Sequence, residues 1–213
     1  MSTKLGLISD PHASPAPVAE ALAIFEAQGV EQILCAGDIA GYGDELEATV
    51  DLLIAGGCRA ILGNHDLWYL DDAPADRSDM VTGFLRALPL VLDLTIEGKR
   101  LYMVHAQPPR SCEGGIRLLD ERGEILPEQR RIWSERLRAF PYDILVVGHT
   151  HQLFAEHLGG TLAINPGSSQ FNHSCAILSL PELDFRVCPL SNQTPLKSWN
   201  WGAHPGLRRR AAE

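Results

Sequence analysis

No apolar run in this sequence approaches the roughly 18 residues that a helix needs to cross a bilayer. Met1 to Asp10 carry one lysine and too short an apolar stretch for a secretory signal. The expectation is a soluble, cytoplasmic protein with no membrane partner. Disulfide frameworks and zinc knuckles are missing as well. The five cysteines (Cys35, Cys58, Cys112, Cys175 and Cys188) are dispersed, odd in number and without a C-x-x-C pair. Cys35, Cys58 and Cys175 sit in apolar, strand-like runs, where a free thiol behaves as a small hydrophobe. That usage suits a reducing compartment. Basic clusters are scarce: 18 Lys and Arg face 27 Asp and Glu, a net charge of −9. A nucleic-acid partner is therefore not expected, because such surfaces need gathered Lys and Arg. A small phosphorylated substrate stays open, since a bound cation can supply positive charge locally. Internal repeats and low-complexity tracts are also lacking.

What is present is an ordinary globular composition, 45% apolar and 21% charged. A chain of 213 residues suits one domain. At that size folding buries roughly 70% of the unfolded surface, so the core needs no covalent staples. We assign residues 1–190 to this domain and 191–213 to a C-terminal tail of unassigned role. In the tail, Trp199 and Trp201 alternate as in a strand, or anchor it to the body or to another protomer. A homo-oligomer is thus left open. Arg208 to Arg210 read as a solvated end.

Lys4 to Ser9 reads as a short buried strand ending at Asp10. Ser14 and Pro15 offer an N-cap and first-turn proline for a helix with Val18, Leu22 and Phe25 on one face, ended by Gly29. Gln32 to Ala36 is a second strand, closing at Gly37-Asp38. Asp44 with Glu47 resembles a capping box ahead of Leu46, Val50, Leu53 and Ile54. Cys58 to Leu62 is a third strand, ending at Gly63-Asn64. This alternation predicts a parallel sheet with helices packed on it. Binding groups collect beyond the carboxyl ends of such strands, where Asp10, Asp38 and Asn64 all fall.

Val81, Phe84, Leu85 and Leu88 mark a further helix before Pro89. Leu90 to Ile96 and Arg100 to His105 read as a hairpin around Glu97-Gly98-Lys99. Residues 106–126 lack periodicity and read as a loop over the site. A helix follows Pro127, with Trp133, Leu137 and Phe140 inward, and then a strand Ile144 to Val147 running into Gly148-His149. Leu153 to Ile164, Cys175 to Leu180 and Leu183 to Cys188 read as antiparallel strands.

Five of the eight histidines, His12, His65, His105, His149 and His151, lie at the ends of these strands. With Asp10, Asp38 and Asn64 they form the segments Asp10-Pro-His12, Gly37-Asp38, Gly63-Asn64-His65-Asp66, His105 and Gly148-His149-Thr-His151. Taken singly, each segment has an ordinary reading as a surface turn, a helix entry or a self-satisfied loop. Their joint occurrence at strand ends does not. Imidazole, carboxylate and amide oxygen without thiolate suit a borderline divalent metal. Manganese is the first expectation, with iron, nickel, cobalt or zinc as alternatives. Seven such ligands are too many for one structural zinc but suit two ions that share a carboxylate.

The ordered set Asp-x-His, Gly-Asp, Gly-Asn-His-Asp, His, Gly-His-x-His resembles the calcineurin-like metallophosphoesterase superfamily. Gly37-Asp-Ile-Ala-Gly-Tyr-Gly43 and Asn165-Pro-Gly-Ser168 resemble its small bacterial and archaeal phosphodiesterase branch. The resemblance runs over roughly residues 4 to 190. It implies an α/β fold, a four-layer α-β-β-α sandwich of two mixed β-sheets flanked by helices. It implies one metal held by Asp10, His12, Asp38 and His151, and a second held by Asp38, Asn64, His105 and His149, with Asp38 bridging. His65 would be catalytic, facing the phosphoryl group together with Asn64. A water shared by two cations loses its proton far more readily than bulk water and would attack phosphorus in line. The expected activity is hydrolysis of small phosphodiesters. Phosphomonoester or nucleotide pyrophosphate hydrolysis, or a non-catalytic scaffold of the same fold, are the alternatives.

Two features depart from relatives. The Asp-Arg that follows Gly-Asp in the superfamily's phosphoprotein phosphatases is replaced by Gly41-Tyr42-Gly43. A protein phosphatase is therefore not expected, and Asp66 or Asp44 becomes the candidate for orienting His65. The arginine that often follows Asn-Pro-Gly-Ser is missing, so Arg110 is the candidate for binding substrate phosphate. His157, His173 and His204 read as ordinary surface or loop histidines.

Overall fold

The computed structural model describes residues 2–74 and 76–200. Trp201, His204 and Arg208 to Arg210 lie outside the described residues. The first half of the chain runs β1 (Thr3–Ile8), α1 (Pro15–Ala27), β2 (Gln32–Cys35), α2 (Leu46–Ala55), β3 (Arg59–Ala60), α3 (Asn64–Asp72) and α4 (Met80–Ala87). It continues through β4 (Val91–Ile96), β5 (Lys99–Val104), α5 (Pro127–Arg136), β6 (Ile144–Val146), β7 (Leu153–Leu158), β8 (Thr161–Pro166), β9 (Ser174–Leu180) and β10 (Asp184–Pro189). The strands form two five-stranded sheets, ordered β10-β9-β1-β2-β3 and β4-β5-β6-β8-β7. Both are mixed: β1, β2 and β3 are parallel, as are β5, β6 and β8, while β9, β10, β4 and β7 pair antiparallel.

The two-residue period of the strands sorts the side chains into layers. Leu5 and Leu7 of β1, Leu101 and Met103 of β5, and Ile144 and Val146 of β6 meet between the sheets. Ile8, Cys35, Cys175 and Ile177 point the other way, onto Val18, Ala21 and Phe25 of α1 and Val50 and Leu53 of α2. On the far side, Val104, Leu145 and Ala163 pack against Trp133 and Leu137, and against Ile116 and Leu118 of the 106–126 loop. Three cores separate four layers, so the α-β-β-α sandwich is the observed fold. All five cysteines are free thiols. Among the described residues, no helix is long and apolar enough to cross a membrane.

Several local expectations change. The Asp44–Glu47 capping box is not formed: Glu45 is the N-cap of α2 and makes no side-chain capping bond. The third strand is two residues long, and Asn64-His65-Asp66 is the first turn of α3, a helix the sequence pattern did not reveal. Asp66 reaches back to the Gly63 N–H, 2.8 Å away, as an acidic residue at the third helical position does in a capping box. Leu153 to Ile164 is a hairpin of β7 and β8, and β8 also runs parallel to β6. Residues 191–200 pack back onto the body. Leu196 and Trp199 donate their N–H groups to the carbonyls of Asn172 and His151, at 3.0 and 3.1 Å.

Candidate metal centre

Parallel pairing puts the carboxyl ends of β1, β2 and β3 side by side, and those of β5 and β6 likewise. The loops leaving them carry Asp10 and His12, Asp38, Asn64, His105, and His149 and His151. Five of these residues have left-handed backbones: Asp10 (φ 50°), His12 (47°), Asp38 (53°), His149 (65°) and His151 (49°). A non-glycine residue adopts that region in only a few per cent of cases. Such concentration in one place marks a site where surrounding structure holds the chain against its preference. The loops are cross-tied: Asp10 N–H donates to Gly37 O at 3.0 Å, His12 N–H to Asp38 O at 3.0 Å, and Ala13 N–H to Ile39 O at 2.7 Å. Gly63 is required by close approach, because a Cβ there would overlap the Asp38 carboxylate.

The side chains converge in two groups. In the first, His12 Nε2 lies 3.0 Å from His151 Nε2, and Asp10 Oδ1 lies 3.4 Å from His151 Nε2. In the second, His105 Nε2 is 3.2 Å from both Asp38 Oδ1 and Asn64 Oδ1, and His149 Nδ1 is 2.8 Å from Asn64 Oδ1. The other Asp38 oxygen, Oδ2, faces His12 Nε2 at 4.0 Å. Asp38 thus turns one oxygen to each group. Donors sharing an ion at bonds of about 2.0–2.2 Å stand about 3.0–3.5 Å apart, and the separations within the groups, 2.8 to 4.0 Å, bracket that spacing.

The hydrogen bonds behind the rings agree with a ligand role. His12 Nδ1 lies 3.2 Å from Ala40 O and His105 Nδ1 lies 2.7 Å from Ala36 O. Each carbonyl accepts the Nδ1 proton and leaves Nε2 facing the cluster, the arrangement that orients metal-binding histidines. Burial lowers the pKa of His12 to about 3 and that of His149 to about 4, so both rings are neutral near pH 7. Burial alone would raise Asp38, but His105, whose own pKa Asp38 raises to about 10 against burial, outweighs it and holds the carboxyl well below its ordinary range. Asp10 is lowered in the same way, chiefly by His151 working against burial. Asp10, His12 and His105 are fully buried.

His65 stands apart from these two groups, half-buried at the mouth, although its ring comes within ligand distance of His12 and Asp38. Its ring centroid is 4.7 Å from those of Tyr42 and Trp68 and 4.9 Å from that of His12. A Cβ on Gly41 would come within 2.5 Å of the His65 Nδ1, so nothing larger than glycine fits beneath it. Neither proposed carboxylate orients this ring. Asp66 spends both oxygens on the Ala40 and Gly63 N–H groups, each 2.8 Å away, and Asp44 is exposed without a bond to it. Tyr42 and Trp68 escaped the sequence reading. Trp68 lies three positions after His65 and shares its helix face, a signal visible only once α3 is known.

A recess of about 170 Å³ opens over the cluster. Asn64, His65, His149 and His151 line it, with Tyr42 and Trp68 on one side and Glu113 and Arg117 of the 106–126 loop on another. Arg110 is exposed and does not line it. The residue from that loop with a guanidinium at the recess is Arg117. His157 is exposed and His173 half-buried, both away from this lining.

The domain model of the calcineurin-like phosphoesterase superfamily matches residues 3–180. An uncharacterized protein of Methanocaldococcus jannaschii is 26% identical over 78% of this chain and 70% of its own length. Among solved structures, a metallophosphoesterase from Sphaerobacter thermophilus superposes with a TM-score of 0.65 at 19% identity, covering 99% of this chain and 94% of that one. A structure described as a novel archaeal phosphodiesterase gives 0.59 at 17% identity, covering 88% of this chain and all of that one. At those identities the two structures speak to the fold alone. The domain match extends from β1 to the end of β9 and takes in every loop of the cluster, and on that ground this chain belongs to the calcineurin-like phosphoesterase superfamily.

Proposed function

We propose that this protein is a dinuclear metal-dependent phosphodiesterase acting on small phosphodiesters. The observation that carries the reading is the Asp38 carboxylate, one oxygen turned to each of two donor groups. Asp10, His12, Asp38 and His151 would hold one cation, and Asp38, Asn64, His105 and His149 the other. Manganese is the first expectation among the borderline divalent metals that accept this nitrogen and oxygen set. Two such cations supply Lewis acidity and make water a competent nucleophile near neutral pH.

The chain contributes the rest. Neutral His12 and His149 present lone pairs without first shedding a proton, while Asp10 and Asp38 stay ionised. His65 faces the recess with its ring fixed by Tyr42 and Trp68. Burial lowers its pKa, so the resting ring is neutral and its one N–H donates to a phosphoryl or leaving oxygen. Free thiols throughout support a reducing, cytoplasmic setting.

The test combines metal analysis with a panel of phosphodiesters, phosphomonoesters, nucleoside pyrophosphates and cyclic nucleotides, each assayed on wild type and His65→Ala. Preferential diester cleavage by a protein carrying about two ions per chain is expected. Faster turnover of monoesters or pyrophosphates would replace the diester assignment. A protein that binds no metal and cleaves nothing would be a scaffold.

A further inference from the structure

Beside the recess lies a second cavity of about 700 Å³. Arg117 lines both spaces, and Thr150, between His149 and His151, lines the larger one. The two spaces therefore meet at Arg117, beside the cluster. The recess, at about 170 Å³, has room for a phosphoryl group and little more. The larger space has the size of clefts that enclose whole small molecules, about 300–1,000 Å³.

Its walls combine flat rings with carboxamides. The half-buried Trp199 and the largely buried Trp133 supply the rings, Gln129 and Asn200 the amides, and Asp120, Glu121 and Arg136 the charged groups. Both rings are held in place: the Arg136 guanidinium lies 4.7 Å from the Trp133 centroid, and Phe171 packs 5.0 Å from Trp199. The Trp199 backbone N–H donates to His151 O at 3.1 Å, so this wall is tied directly to the cluster. Arg117 is exposed and makes no ion pair or side-chain hydrogen bond among the described residues. A guanidinium without a carboxylate partner, placed at the junction, suits phosphoryl oxygens, which it can grip with two parallel N–H bonds.

We propose that this cavity receives the second ester arm of the substrate, an arm of nucleoside size bearing an aromatic base, and that Arg117 binds the phosphoryl oxygens at its entrance. Ring faces stack on a base while carboxamides meet its polar edge, the combination by which proteins hold an unstacked base. Arg117 thereby takes the part left vacant by the missing arginine after Ser168. The inference rests on the phosphodiesterase reading and adds the identity of the arm.

The manganese-loaded full chain is assayed on two p-nitrophenyl diesters that differ only in the retained arm, methyl phosphate or thymidylate. Wild type is compared with Arg117→Ala, Arg117→Lys and Gln129→Trp. Leu126→Trp, at an exposed position on the same wall, is a second filling variant should Gln129→Trp not fold. Wild type is expected to favour the thymidylate ester by at least about tenfold in kcat/KM, and the filling variants to lose most of that preference. Arg117→Ala is expected to weaken both esters by a similar factor, about tenfold and chiefly in KM, with partial recovery in Arg117→Lys. Calorimetric binding of thymidylate and of methyl phosphate gives a readout independent of turnover, with thymidylate tighter in wild type and in the Arg117 variants but not in the filling variants. Equal turnover of the two esters with equal binding of the two products overturns the inference and leaves the phosphodiesterase reading standing. So does an Arg117→Ala variant indistinguishable from wild type. A metal-loaded wild type that binds thymidylate yet cleaves neither ester overturns the phosphodiesterase reading, and the inference with it.

Discussion

The Nε2 atoms of His12 and His151 stand 3.0 Å apart in the buried floor of the site. The His12 proton is committed to Ala40 O through Nδ1, and burial keeps the ring neutral. Its Nε2 lone pair therefore points at a place that His151 and Asp10 also face, as two donors of one cation do. Replacing His12 should remove one ion and leave the other. Replacing Asp38, which faces both groups, should remove both. Metal-to-protein ratios are expected to fall from about two in wild type to about one in His12→Ala and to near zero in Asp38→Ala. An Asp38→Ala protein that keeps its full metal content would sink the shared-carboxylate arrangement.

His65 has a different expected signature, because it stands outside both groups, between Tyr42 and Trp68. His65→Ala should lower kcat by about 10²–10⁴-fold, the usual contribution of a positioned proton donor, with metal content unchanged. Loss of metal in that variant would instead make His65 a ligand. Trp68→Ala should cost less, since it frees the ring without removing it.

The two halves of the site differ in how far the sequence betrays them. The Asp10, Asp38, Asn64, His105, His149 and His151 segments stand at strand ends, and strands declare themselves through apolar runs broken by glycine. A parallel sheet with helices packed on it follows from that same pattern, whereas the division into two mixed sheets rests on the family resemblance. Helix α3 did not declare itself, because the apolar residues of Asn64 to Asp72 form one block, Leu67 to Leu70, without helical periodicity, and its polar opening also reads as a turn. With α3 unseen, Trp68 could not be placed against His65. Arg117 sits in a loop whose shape is set by tertiary packing of Ile116 and Leu118, and no local pattern distinguishes it from Arg110. The Asp44–Glu47 motif failed for a related reason: Glu45, the true N-cap, has its N–H held by Ala13 O at 3.2 Å, a contact from a distant loop.

Helix α4 offers a pH-dependent test well away from the cluster. Asp79 caps it by accepting the Thr82 N–H at 2.9 Å. That bond, followed by the bond from Arg77, lowers the carboxyl from 3.8 to about 2. A depressed folded-state value means the ionised cap stabilises the fold above pH 3.8 and loses its effect as pH falls through about 2. Asp79→Ala should therefore lower the thermal midpoint at pH 7, and the difference from wild type should narrow steadily below pH 4. Chelator-treated protein is used for both, so that metal loss in acid does not enter. A gap that persists unchanged in acid would show that the carboxylate is not the capping group.

Asp66 joins the two loops that carry Asp38 and Asn64, and its replacement should act on the fold before it acts on the chemistry. The side chain is fully buried. One oxygen accepts the Ala40 N–H and the other the Gly63 N–H, both at 2.8 Å. Ala40 and Gly63 are themselves buried, so water does not reach the donors when the carboxylate is removed. An unsatisfied buried N–H costs about 1–3 kcal/mol, and Asp66→Ala leaves two. A loss on the order of 3 kcal/mol in urea unfolding of the metal-free protein follows. Asp66→Asn keeps one acceptor but turns an amide N–H₂ toward the second donor, and should fall between the two. Because His65 N–H is bonded to Asp38 Oδ1 at 2.9 Å across the same junction, loosening it should also weaken metal retention. A change below about 0.5 kcal/mol in Asp66→Ala, the range of an ordinary surface substitution, would show that the loops hold together without it.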